Sequence, residues 1–233
     1  MTGRRAAAAA SAAAALAVAL LAGCGQSSST SAPPGSPSAT STPPATPPAT
    51  YRSPPASLPA SPVTLSTAPP PWLPPAVIGQ GKDSRGFVAA AGLPYGEETL
   101  TVHYHAHLDI DADGKAVAVP AYIGYVADGN KVLGLAPLHT HAQDGIIHIE
   151  NSVPATFVLG QFFVEWGVRL TADCVGGLCT GNGKELAFFV DGKRFTGDPT
   201  TIVLKKHAEI AIEYGDTGKL PAAPSSYAFP HGV

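Results

Sequence analysis

Charge is scarce in this chain of 233 residues, where Asp, Glu, Lys and Arg together make up 13%. All 17 acidic residues and all 8 histidines follow residue 75, against 11 Lys or Arg in the same stretch. That acidic balance excludes a strongly basic nucleic-acid binder, so no nucleic-acid partner is expected. Methionine is confined to Met1, and there are three cysteines. A blue-copper centre, which needs a free Cys and commonly an axial Met, fits this composition poorly. Aromatics are 7% of the chain. The sequence also lacks a Gly-x-Ser-x-Gly elbow, a phosphate loop and a dinucleotide fingerprint.

Long apolar runs are missing as well. The one candidate, residues 6–22, is mostly Ala and sits at the short limit for spanning a bilayer. With Arg4 and Arg5 before it and small residues after it, the run reads as a secretory signal, residues 1–23. The string Leu21-Ala22-Gly23-Cys24 resembles the lipobox of bacterial lipoproteins. That resemblance implies acylation of Cys24, cleavage before it, and a lipid anchor on the extracytoplasmic face of the cell membrane. Residues 24–75 follow as a Pro/Ser/Thr-rich linker holding 16 of the 24 prolines. Such a composition offers too little apolar surface to offset ordering entropy, so an extended, disordered spacer is expected.

From about residue 76 to 233 the pattern becomes short β-type runs punctuated by Asp-Gly pairs at 113–114, 128–129, 144–145 and 191–192. Asp-Gly between such runs is a strong hairpin signal. Strands are expected at 100–110, 116–123, 137–142, 146–150, 186–190, 201–205 and 208–214. The fold class is accordingly mainly β, an antiparallel sandwich or barrel. One short amphipathic helix interrupts it, because Leu159, Phe162, Phe163 and Trp166 recur at helical spacing before Gly167. Cys174 and Cys179 flank a Val-Gly-Gly-Leu loop and, in an oxidising compartment, are expected to form a disulfide.

Histidine is what the sequence has in abundance. His103, His105 and His107 alternate along one run, so they share a face with Asp109 while Tyr104, Ala106, Leu108 and Ile110 face the core. A two-residue turn at 113–114 would set Leu108 opposite Val119 and Ile110 opposite Val117. The second cluster is His139, His141, His148 and Glu150. A two-residue turn at 144–145 would set His141 opposite His148 and His139 opposite Glu150, within reach of one shared ion. Clustered imidazoles repel when protonated and compete for donors when neutral, and a bound cation resolves both conflicts. The candidate metal ligands are therefore His103, His105, His107, His139, His141, His148 and Glu150, with divalent Cu or Zn as the ion. A hydrogen-bonded or pH-sensing histidine network is the rival reading. His207 and His231 are read as bystanders.

The strings His103-Tyr104-His105-Ala106-His107-Leu108, Leu138 to Glu150 and Leu159 to Leu170 together resemble a domain recurring in exported bacterial and archaeal proteins. The resemblance spans roughly residues 100–215 and implies that the histidine clusters travel with this fold; it supplies no reaction. Cupins and deubiquitinase-type zinc peptidases share the His-x-His of 139–141, but their further motif residues are missing here. Three functions stay open at this point: a non-catalytic Cu or Zn lipoprotein, a metal-dependent enzyme with Glu150 as general base, or a non-metal interaction module.

Overall fold

The computed structural model describes residues 63–75 and 83–233. The signal segment, Cys24 and most of the Pro-rich linker lie outside the described residues. Among the described residues no helix is long and apolar enough to cross a membrane.

The chain is mainly β. A six-stranded sheet carries β1 (Val102–Ala112), β4 (Leu138–His139), β5 (Ile146–Asn151), β8 (Lys184–Val190), β9 (Lys193–Phe195) and β10 (Glu209–Asp216) in the order β4-β5-β1-β10-β8-β9. Two ribbons stand apart, β2 (Tyr125–Asp128) with β3 (Lys131–Leu135) and β6 (Cys174–Val175) with β7 (Leu178–Cys179). The second ribbon sets Cys174 opposite Cys179, and the two are joined by the expected disulfide. The main sheet is mixed, because β1 and β10 run parallel while its other neighbours are antiparallel.

Alternation along these strands divides the sheet into two chemically different faces. Ala106, Leu108 and Ile110 of β1, Ile147 and Ile149 of β5, and Ile210 and Ile212 of β10 are all buried in one core. The expected helix, α2 (Leu159–Trp166), adds Phe162, Phe163 and Trp166 to that core. Every α2 residue is buried, its polar members included. Gln161 offsets this by accepting from Val158 N–H and donating to the Ala91 carbonyl. Glu165 has no such partner: neither carboxyl oxygen makes a hydrogen bond, and burial raises its pKa well above the usual carboxylate range. A further helix, α1 (Arg85–Ala90), was not signalled by periodicity, being only six residues long.

Two expected strands are absent as strands. The Asp113-Gly114 turn forms, with φ of 57° and 75°, and Val117 N–H donates to the Ile110 carbonyl as the register demands. Pairing then stops, because β5 occupies the same edge of β1 from His107 back to Val102, and Leu108 N–H donates to Gly145 instead of pairing toward Val119. Residues 201–205 hold only the end of a 3-10 turn and one bridge, Val158 to Val203.

Residues 63–75, which composition assigns to the linker, pack with the domain. Ser66 bridges to Val168, Gly177 N–H donates to Ala68, and Trp72 is buried edge-on against Trp166 with ring centroids 5.7 Å apart. The apolar Trp72 outweighs its proline-rich surroundings, so the packed chain includes Val63 to Pro75.

Candidate metal centre

β1 lies between β5 and β10, which brings the two histidine clusters onto the face of the sheet opposite the aliphatic core. The β1–β5 register sets His103 opposite Glu150 and His105 opposite His148. On the other edge of β5, His139 lies opposite His148 and Leu138 opposite Ile149. The expected facing of His141 with His148 and of His139 with Glu150 is thus corrected by a slip of two residues. The connection at 140–145 is longer than a two-residue turn. After His139 the chain changes partner: Thr140 exchanges backbone hydrogen bonds with Tyr122 and Ile123, and its hydroxyl donates to the Pro120 carbonyl. A slip of two preserves the face, so the histidines still converge. His141 reaches the group from this loop, its ring centroid 4.4 Å from that of His148.

Five imidazoles and Glu150 therefore form one continuous cluster. His105 and His139 are 3% and 1% exposed, whereas the side chains of His103 and His141 keep 32% and 40% of their surface open. His105 Nε2 lies 3.0 Å from His103 Nε2 and 3.1 Å from His148 Nδ1. A ring nitrogen carries one proton or one lone pair, so it can complete only one of these as a linear hydrogen bond. His139 is more tightly specified. Its Nδ1–H donates to the Ala136 carbonyl at 2.9 Å, which leaves a lone pair on Nε2. That lone pair faces His141 Nε2 at 3.2 Å, Glu98 Oε1 at 3.6 Å and Glu150 Oε1 at 3.8 Å. His141 is braced in turn by Tyr125, whose hydroxyl is 2.7 Å from His141 Nδ1.

The electrostatics suit a cation as well. Burial, reinforced by neighbouring imidazoles, lowers His105 to about 4, His139 to about 4 and His148 to about 3. These rings are neutral at pH 7, the form that ligates a metal. Burial and then Glu98 push Glu150 up to about 7, and its Oε2 is buried without a hydrogen-bond partner. A cation beside it would reverse that shift.

His107 stands apart from this cluster. Its Nδ1 is 2.9 Å from Glu209 Oε2 and its Nε2 is 2.9 Å from the Asp144 carbonyl. Tyr227 stacks on the ring at 3.6 Å. Burial is the largest single influence and lowers its pKa, but the hydrogen bond and charge of Glu209, the charge of Asp109 and the Asp144 carbonyl together outweigh it and raise the pKa. With both nitrogens within hydrogen-bond reach of oxygen atoms, His107 pairs with Glu209, and with Asp109 these residues form a separate group that could itself hold an ion. His207 stacks on Phe229.

Sequence reasoning missed Glu98, Tyr125 and Glu209. None belongs to a histidine-rich string; Tyr125 comes from the local β2–β3 ribbon, whereas Glu98 and Glu209 arrive through long-range backbone pairing. Glu98 is delivered by the segment around Gly96, which exchanges two backbone hydrogen bonds with Leu135. A cavity of about 160 Å³ opens beside the cluster, lined by Tyr95, Glu98, His139, Glu150 and Asn151 among others. The described residues thus contain histidine and glutamate groups able to hold a metal ion. Comparison with family models, with curated proteins and with solved structures finds no match to this chain.

Proposed function

We propose that this protein is an extracytoplasmic, lipid-anchored, non-catalytic metal-binding protein that holds divalent copper or zinc. The observation that carries the reading is the His139 Nε2 lone pair, fixed by the Ala136 carbonyl and surrounded by three further donor atoms within 3.8 Å. A nitrogen lone pair and two carboxylate oxygens directed at one space, with His141 Nε2 beside them, form a donor set that a cation between them would satisfy. The donors are all nitrogen and oxygen, a set that suits Zn²⁺ or Cu²⁺ and offers no soft sulfur. Support for the anchor is the sequence around Cys24 and the signal-like run before it.

Calorimetric titration of the metal-stripped protein with Zn²⁺ and with Cu²⁺ tests the reading. Saturable binding tighter than the millimolar range is expected, and its absence would leave the histidines as a hydrogen-bonded network. Cys24→Ala should abolish lipidation, and a cleaved, membrane-bound product from that variant would refute the anchor.

A second reading, a metal-dependent enzyme, is favoured by the cavity against His139 and Glu150. A bound ion there would face a space large enough for a small substrate, with Glu150 as base. Hydrolysis of small ester or amide substrates only by the metal-loaded protein would select it.

A further inference from the structure

The cluster holds more donors than one ion can use. Zinc in a structural site takes four ligands at about 2.0–2.1 Å, which places tetrahedral donors about 3.3 Å apart. Five imidazoles, Glu98 and Glu150 make seven side chains. They also fall into two sets: His103, His105 and His148 converge on one point, while His139, His141 and Glu150 converge with His148 on another.

Glu150 lies between the two. Its Oε1 is 3.4 Å from His103 Nε2, 3.8 Å from His148 Nδ1 and 3.8 Å from His139 Nε2. Its Oε2 is buried with no hydrogen-bond partner, although the residue is only 7% exposed. A carboxylate with one oxygen shared between two nitrogen sets and the other unclaimed has the form of a bridge. On the far side, Glu98 Oε1 lies 3.4 Å from His141 Nε2 and 3.6 Å from His139 Nε2, completing the second set.

We infer that the site is dinuclear. His103, His105 and His148 hold one divalent ion, His139, His141 and Glu98 hold a second, and the Glu150 carboxylate bridges them. Each ion then has four donors, three nitrogens and an oxygen at the first and two nitrogens and two oxygens at the second. The inference rests on the metal-binding reading above. It extends that reading by assigning a stoichiometry, a division of ligands and a role for Glu150 in joining the ions.

The test is a count of bound Zn²⁺ on the full-length, metal-stripped protein by calorimetry and elemental analysis. Two equivalents per chain are expected. One equivalent would overturn the dinuclear assignment and leave the metal-binding reading intact, whereas none would overturn both. His103→Ala and His141→Ala change partly exposed side chains in opposite sets, and each should retain one equivalent. Retention of two in either variant, or loss of all binding, would overturn the division of ligands. Cu²⁺ serves as the probe of the bridge. Two ions joined by Glu150 should couple, so the paramagnetic resonance signal at two equivalents should fall below that at one. Glu150→Gln should restore a signal that grows with each ion added. A wild-type signal that simply doubles would remove the bridge.

Discussion

Gly124 is where the fold and the candidate site meet most directly, and replacing it with Ala separates two costs. Its φ is +76°, and an added Cβ would lie 2.1 Å from the Leu138 carbonyl oxygen and 2.9 Å from His139 Cβ. The left-handed backbone costs a non-glycine residue roughly 1–2 kcal/mol. The contact is a separate matter, because backbone cannot rotate away as a side-chain tip can. Reaching an ordinary 3.4 Å from 2.1 Å requires a displacement of 1.3 Å. Overpacking of this kind adds roughly 1–3 kcal/mol, for a total of about 2–5 kcal/mol. For a protein of this size that is a fall in Tm of roughly 4–20 °C. Gly129→Ala is the control, with φ of +58° and nothing within 4 Å of the added Cβ, so it should show the backbone cost alone. Metal binding amplifies the difference. Ligand distances must hold to about 0.2 Å, and loss of a supporting contact typically costs 10–100-fold in affinity. Gly124→Ala should therefore weaken Zn²⁺ binding about tenfold or more, while Gly129→Ala leaves it unaltered. Thermal denaturation and calorimetry on the two variants provide the measurement. Equal stability and equal affinity in both would refute the claim that Gly124 sets the position of His139.

Three further outcomes are expected. Trp72→Ala should cost about 3–5 kcal/mol by denaturant titration, since the ring is buried against Trp166; a cost below 1 kcal/mol would show that residues 63–75 are not part of the fold. Glu165→Gln should track wild type below pH 4.5 and then gain on it by about 1.4 kcal/mol per pH unit until the folded-state pKa is passed. The sign follows from the raised pKa: the folded state keeps a proton that the unfolded state releases, so wild type loses stability as pH rises. Parallel stability curves for the two proteins would refute it. Replacing both Cys174 and Cys179 with Ser should cost about 2 kcal/mol, because the bridge closes a loop of only a few residues. Unchanged stability under reducing and oxidising conditions would contradict that estimate.

What was legible in the sequence is local. Alternation of His103, His105 and His107 with Tyr104, Ala106 and Leu108 determined which face of β1 would be polar, since neighbouring side chains on a strand must point oppositely. The Asp113-Gly114 turn, the α2 stripe and the Cys174–Cys179 bridge were equally readable, each depending on residues only a few positions apart. Long-range backbone pairing decided the rest. The register of His139 moved by two because Thr140 found partners at residues 120–123, and that competition is invisible in the 138–150 string. His107 was drawn out of the cluster by Glu209, which reaches it only because β10 joins β1 in parallel. Glu98 entered because Gly96 pairs with Leu135. Face is a property of one strand and survives a slip of two. The identity of the facing residue belongs to the strands that win each edge, and the tertiary structure alone settles that contest.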